Sequence, residues 1–73
     1  MGKSIYTQEH IRTIAQLKKA RELLKLRQAE VAEKLGRTQS YISKIESGQR
    51  RIDISQLREF ARIYKKSITF FLR

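Results

Sequence analysis

Seventy-three residues leave room for one small domain with a modest core, and no room for a second catalytic or effector domain. Seventeen Lys and Arg against seven Asp and Glu give a formal net charge of +10, which suits a polyanion through long-range attraction and counterion release; a solvated basic surface is the alternative that charge alone leaves open. Zero Cys excludes disulfides, thiolate metal sites and thiol nucleophiles, and His10 has no second histidine to complete a metal site, so it is expected on the surface and no cofactor is expected.

No Pro occurs and Gly stands only at positions 2, 36 and 48, so an all-α fold is predicted, with neither repeat nor linker. Thr7 is a plausible N-cap, and Ile11, Ile14, Leu17, Arg21 and Leu24 fall on one side of a long first helix over about 8–25. Val31, Ala32 and Leu35 share one face of a second helix that starts near residue 28 and stops at Gly36, a residue able to take the left-handed conformation. Thr38 then offers an oxygen to cap a third helix, whose Ile42 and Ile45 point inward. Residues 28–47 thus read as two short helices hinged at a glycine. Gly48 ends the second of them, and Arg50 and Arg51 follow at once. Asp53 with Gln56 resembles a capping box for a fourth helix over 54–65, with Ile54, Leu57, Phe60, Ala61 and Tyr64 as its apolar stripe. Ser67 can cap a last helix over 68–73. Its Ile68, Phe70, Phe71 and Leu72 exceed what one small core can bury, so this end is expected to carry a dimer contact.

The outward side of the third helix carries Gln39, Ser40, Ser43, Lys44 and Ser47, all able to form hydrogen bonds. A helix of this kind reads DNA in the major groove with its N-terminal residues at the base edges. The Gln39 amide can donate and accept, which matches adenine N7 and N6; Lys44 suits guanine O6 and N7 or a phosphate; Ser40 and Ser43 discriminate less. Arg37, Thr38, Tyr41, Ser47, Arg50 and Arg51 are candidates for backbone contacts, which fix register without carrying sequence information. No glycine-rich phosphate loop, nucleophile elbow or inward carboxylate pair occurs, so an enzyme is not expected. The chain has no apolar run for export or membrane spanning, and the expected location is the cytoplasm.

Gln28-Ala29-Glu30-Val31-Ala32, Leu35-Gly36, Gln39-Ser40 and Ile42-Ser43-Lys44-Ile45-Glu46-Ser47-Gly48 resemble the helix-turn-helix family of the phage Cro and CI repressors, often called the XRE family, over about Leu17 to Leu72. The resemblance implies a compact five-helix, lambda-repressor-like domain that binds double-stranded DNA as a homodimeric repressor or autoregulator reading a palindrome. It further implies an ion pair between Arg21 and Glu46, a phosphate contact from Gln28 that braces Gln39, and dimerisation through the C-terminal end. Relatives also serve as antitoxins or restriction–modification controllers, so a toxin or other protein partner stays open. The chain departs from the family between the first two helices. A glycine is common where Lys25 stands and a Ser or Thr cap where Arg27 stands, so the first helix is expected to overrun or turn differently there, because a left-handed lysine costs about 1–2 kcal/mol.

Overall fold

The computed structural model describes residues 7–72. Among the described residues five helices follow one another: α1 (Gln8–Leu23), α2 (Gln28–Leu35), α3 (Gln39–Glu46), α4 (Ile54–Tyr64) and α5 (Ile68–Leu72). The expected last residue of α5, Arg73, lies outside the described residues. Among these helices none is long and apolar enough to cross a membrane.

Each of the four longer helices starts on a local bond. Thr7 accepts from the His10 amide at 3.1 Å, Thr38 from the Tyr41 amide at 3.2 Å, and Asp53 from the Gln56 amide at 2.8 Å. The Gln56 side chain in turn accepts from the Asp53 amide at 2.9 Å, completing the expected capping box, and the bond from the Gln56 amide holds the Asp53 carboxyl below its usual pKa. Arg27 has no lone pair to offer the amides of α2. That start is closed from the other side, where Glu30 accepts the Arg27 amide at 2.7 Å with the guanidinium 3.6 Å away.

The C-terminal ends of α1, α2, α3 and α4 share one device. The amide beyond each C-cap bonds back in the paired pattern of the Schellman motif: Leu26 to Arg21 and Lys25 to Glu22, Arg37 to Ala32 and Gly36 to Glu33, Gln49 to Lys44 and Gly48 to Ile45, Lys66 to Ala61 and Lys65 to Arg62. Each requires a left-handed residue, and these are Lys25 (φ 59°), Gly36 (φ 69°), Gly48 (φ 84°) and Lys65 (φ 58°). The first helix therefore does not overrun. Lys25 takes the strained conformation because three bonds at the corner require it, the two backbone bonds and one from Arg21 Nη1 to the Leu26 carbonyl at 2.8 Å. Lys25→Gly and Lys65→Gly should each raise stability by about 1 kcal/mol, since the steric penalty removed exceeds the entropy that glycine loses on folding. Urea unfolding checks this, and an unchanged midpoint would show that the two corners carry no strain.

Leu17, Val31, Ile42, Ile45, Phe60, Tyr64 and Phe71 form the fully buried centre, with Ile14, Ala20, Ala32, Leu57 and Ala61 around it. Three positions expected on apolar stripes are exposed instead: Ile11, Leu24 and Ile54. Ile11 lies about 120° around α1 from Leu17 at 100° per residue, outside the face made by Thr13, Ile14, Leu17 and Ala20. Leu24 follows the end of α1, and Ile54 is the first residue of α4, where side chains lean toward the N-terminus and past the packed turns. His10, expected on the surface, is half-buried, and burial followed by the charge of Arg51 lowers its pKa.

Helix α5 belongs to the core. Phe71 is 0% exposed, its ring sits 6.4 Å from Tyr64 and 5.1 Å edge-on from Phe70, and its carbonyl accepts from the Thr13 hydroxyl of α1 at 3.0 Å. This corrects the expectation for Phe71, which is committed to the domain interior and cannot offer itself to a second copy. Ile68 and Phe70 are half-buried, and Leu72 is 53% exposed.

Candidate nucleic-acid interface

The turn between α2 and α3 uses only Gly36, Arg37 and Thr38, and the side chains of the first residues of the two helices, Gln28 and Gln39, approach each other at 3.5 Å. Val31, Ile42 and Ile45 are fully buried between these helices and the rest of the domain. That burial fixes which side of α3 is wet. Gln39, Ser40, Ser43 and Lys44 are all exposed, together with Thr38, Ser47, Arg37, Arg50 and Arg51, while Gln28 is half-buried. The Ser47 hydroxyl donates to the Lys44 carbonyl at 3.2 Å, which occupies its proton locally.

Tyr41 is the exception. The residue is 9% exposed and belongs to the core cluster, not to the wet side. Burial pushes its hydroxyl pKa up. The guanidinium of Arg37 stands 4.8 Å from the ring centroid and that of Arg50 stands 5.0 Å from it. Two cations from opposite ends of α3 are thus held by one ring, a cation–π arrangement that sequence spacing did not reveal. Arg37 is also 3.9 Å from Glu59 of α4. Around Tyr41 a shallow recess is lined by Gly36, Arg37, Thr38, Ser40, Lys44 and Arg50, and an array of this charge and shape can hold a phosphodiester.

Behind the polar face lies an ion pair. Arg21 Nε is 2.7 Å from Glu46 Oε2 and Arg21 Nη2 is 3.0 Å from Glu46 Oε1, with side-chain exposures of only 12% and 4%. The bond to Glu46 raises the Arg21 pKa. Gln28 Nε2 donates to Glu46 Oε1 at 3.0 Å, and Gln39 Nε2 stands 3.5 Å from Gln28 Oε1, at the long end of a hydrogen bond. The link from Glu46 to Gln28 was not legible in the sequence, because it joins the first residue of α2 to the last of α3. The Tyr64 hydroxyl is buried, and burial followed by the charge of Glu46 drives its pKa upward.

A family model described as a helix-turn-helix matches residues 17–71. No curated protein sequence matches the chain. Among solved structures, the chain is similar to one described as the crystal structure of FeII HppE in complex with substrate, with a TM-score of 0.78 and 26% identity over 86% of this chain and 37% of that one. The likeness is thus confined to a part of that larger protein, and the iron and substrate are named for it alone. The family match takes in the turn, both helices beside it, and most of the supporting core: this chain belongs to the helix-turn-helix family of DNA-binding regulators of the Cro/CI, or XRE, type.

Proposed function

We propose that the chain is a homodimeric repressor or autoregulator that reads a palindromic operator through the major groove, with half-sites about one helical turn, roughly 34 Å, apart. The observation that carries this reading is the two-sidedness of α3. Ile42 and Ile45 are fully buried on one side, and on the other an exposed row of amide, hydroxyl and ammonium groups is flanked by arginines. A helix meant for a protein groove would turn apolar anchors outward. Gln39, Ser40, Ser43 and Lys44 are the base readers in this reading. Arg37 and Arg50, held against Tyr41, grip the backbone with Gln28, Thr38, Ser47 and Arg51. Tyr41 then acts by positioning the two arginines. Ile68, Phe70 and Leu72 supply the contact between copies.

Selection of duplexes from a random library by the purified protein at near-physiological salt tests the proposal. A two-fold symmetric site should be enriched; binding without base preference would remove the operator-reading role. On the selected site, Gln39→Ala should relax preference at one position at a cost of about 1–3 kcal/mol. Arg50→Ala should weaken operator and scrambled DNA alike and reduce the salt slope by about one. Equal losses on both duplexes for Gln39→Ala would count against its assignment.

A further inference from the structure

Helix α1 carries two adjoining stripes, and the rest of the domain covers only one. Thr13, Ile14, Leu17 and Ala20 are buried in the core. Ile11, Ile14, Ala15 and Lys18 follow the i, i+3, i+4, i+7 spacing of a second face, apolar up to the ammonium of the lysine. Of these only Ile14 is buried, and Ile11 is 55% exposed. The second face lines a mostly apolar cleft of about 350 Å³, which the end of α3, from Glu46 to Gly48, also borders. Lys18 lies at one end of the stripe. At the other, His10 lines the same cleft, and its Nε2 is buried with no hydrogen-bond partner among the described residues.

We propose that this cleft binds a small amphipathic carboxylate, with an aryl or branched alkyl body against Ile11, Ile14 and Ala15 and the carboxylate beside the Lys18 ammonium. Size selects a small molecule over a protein. The stripe spans two turns of α1, roughly 10 Å along the axis, whereas a stable protein interface engages about 20–30 residues on each side. Small-molecule clefts begin at about 300 Å³ and are mostly apolar with a few placed polar groups. Charge selects an anion. Glu46 also borders the cleft, but its carboxylate is 4% exposed and matched by Arg21 at 2.7 Å, which leaves Lys18 as the exposed charge of the lining. The field of a +10 chain favours the same sign of ligand. Gln39, Ser40, Ser43 and Lys44 take no part in the lining, so the site does not depend on how α3 meets DNA.

Titration of the isotope-labelled full chain with hydrocinnamate, and with its uncharged counterpart hydrocinnamamide, tests the site by amide NMR shifts. Both probes should give saturable shifts at Ile11, Ala15, Lys18 and Gly48, with hydrocinnamate bound about threefold more tightly, as an exposed ion pair allows. Lys18→Met should make the two affinities equal while the shifts at Ile11 and Ala15 persist. Ala15→Trp fills the cleft from an exposed helical position and should abolish saturable binding of both probes. Ile11→Ser, also at an exposed position, should weaken both by about fivefold. The dispersion of each variant's own spectrum reports whether it is folded. Shifts that spread over the basic surface without saturating, and that Ala15→Trp leaves unchanged, would overturn the site. Equal affinity of the two probes for the parent chain would overturn the carboxylate as its ligand class. Shifts at the same amides that grow with protein concentration and no probe would show a second copy in the cleft and overturn the proposal.

Discussion

Glu46→Ala is expected to destabilise the domain by about 3–5 kcal/mol, because removing one partner of a buried pair leaves the other charge uncompensated. The magnitude follows from what Arg21 would lose. Its side chain is 12% exposed, two of its bonds go to Glu46 at 2.7 and 3.0 Å, and only the bond to the Leu26 carbonyl at 2.8 Å would survive. For a chain of this length total stability is about 4–11 kcal/mol, so the variant should be largely unfolded at 37 °C or close to it. Arg21→Met with Glu46→Met should behave differently and stay within about 1 kcal/mol of the parent, as apolar replacements of buried pairs often do. Urea unfolding of the three proteins decides the matter. A loss under about 1 kcal/mol for Glu46→Ala would class the pair with surface ion pairs, whose net contribution is small.

What the sequence made legible depended on whether a signal was local. Gly36 and Gly48 announced left-handed helix ends because glycine there has a conformational reason, and both ends formed as expected. Lys25 and Lys65 form the same motif without that marker. Their conformation is imposed by returning backbone bonds, and no lysine side chain encodes it. Caps at Thr7, Thr38 and Asp53 were readable for the same local reason. Periodicity identified the buried sides of α2 and α3, but it misjudged Ile11, Leu24 and Ile54, since a helical stripe is wider than the face a neighbour covers and says nothing about where the helix stops. At the interface, the wet residues of α3 were apparent, whereas Tyr41 was not: an amphipathic ring fits either side of a helix, and only the packed neighbours decide. The bond between Gln28 and Glu46 spans 18 residues and has no periodic signature.

Phe71→Ala should cost about 3–5 kcal/mol, the usual loss for emptying a large aromatic site in a core. The residue is 0% exposed and lies beside Tyr64, so its ring closes the domain at the seam of α1, α4 and α5. The substitution also removes the edge-on partner that Phe70 has at 5.1 Å, leaving Phe70 with Lys66 over its ring at 4.9 Å. Leu72, the next residue, is 53% exposed, and Leu72→Lys should change the stability of an isolated domain by no more than about 0.5 kcal/mol. The two substitutions therefore pull apart functions that adjacent apolar residues would otherwise seem to share. Urea unfolding at low protein concentration should register Phe71→Ala and be nearly blind to Leu72→Lys, whereas sedimentation equilibrium should show Leu72→Lys shifting the proposed dimer toward monomer. A Phe71→Ala variant that unfolds with the parent's midpoint would remove α5 from the core, and a Leu72→Lys variant that dimerises like the parent would move the proposed contact to another face of the domain.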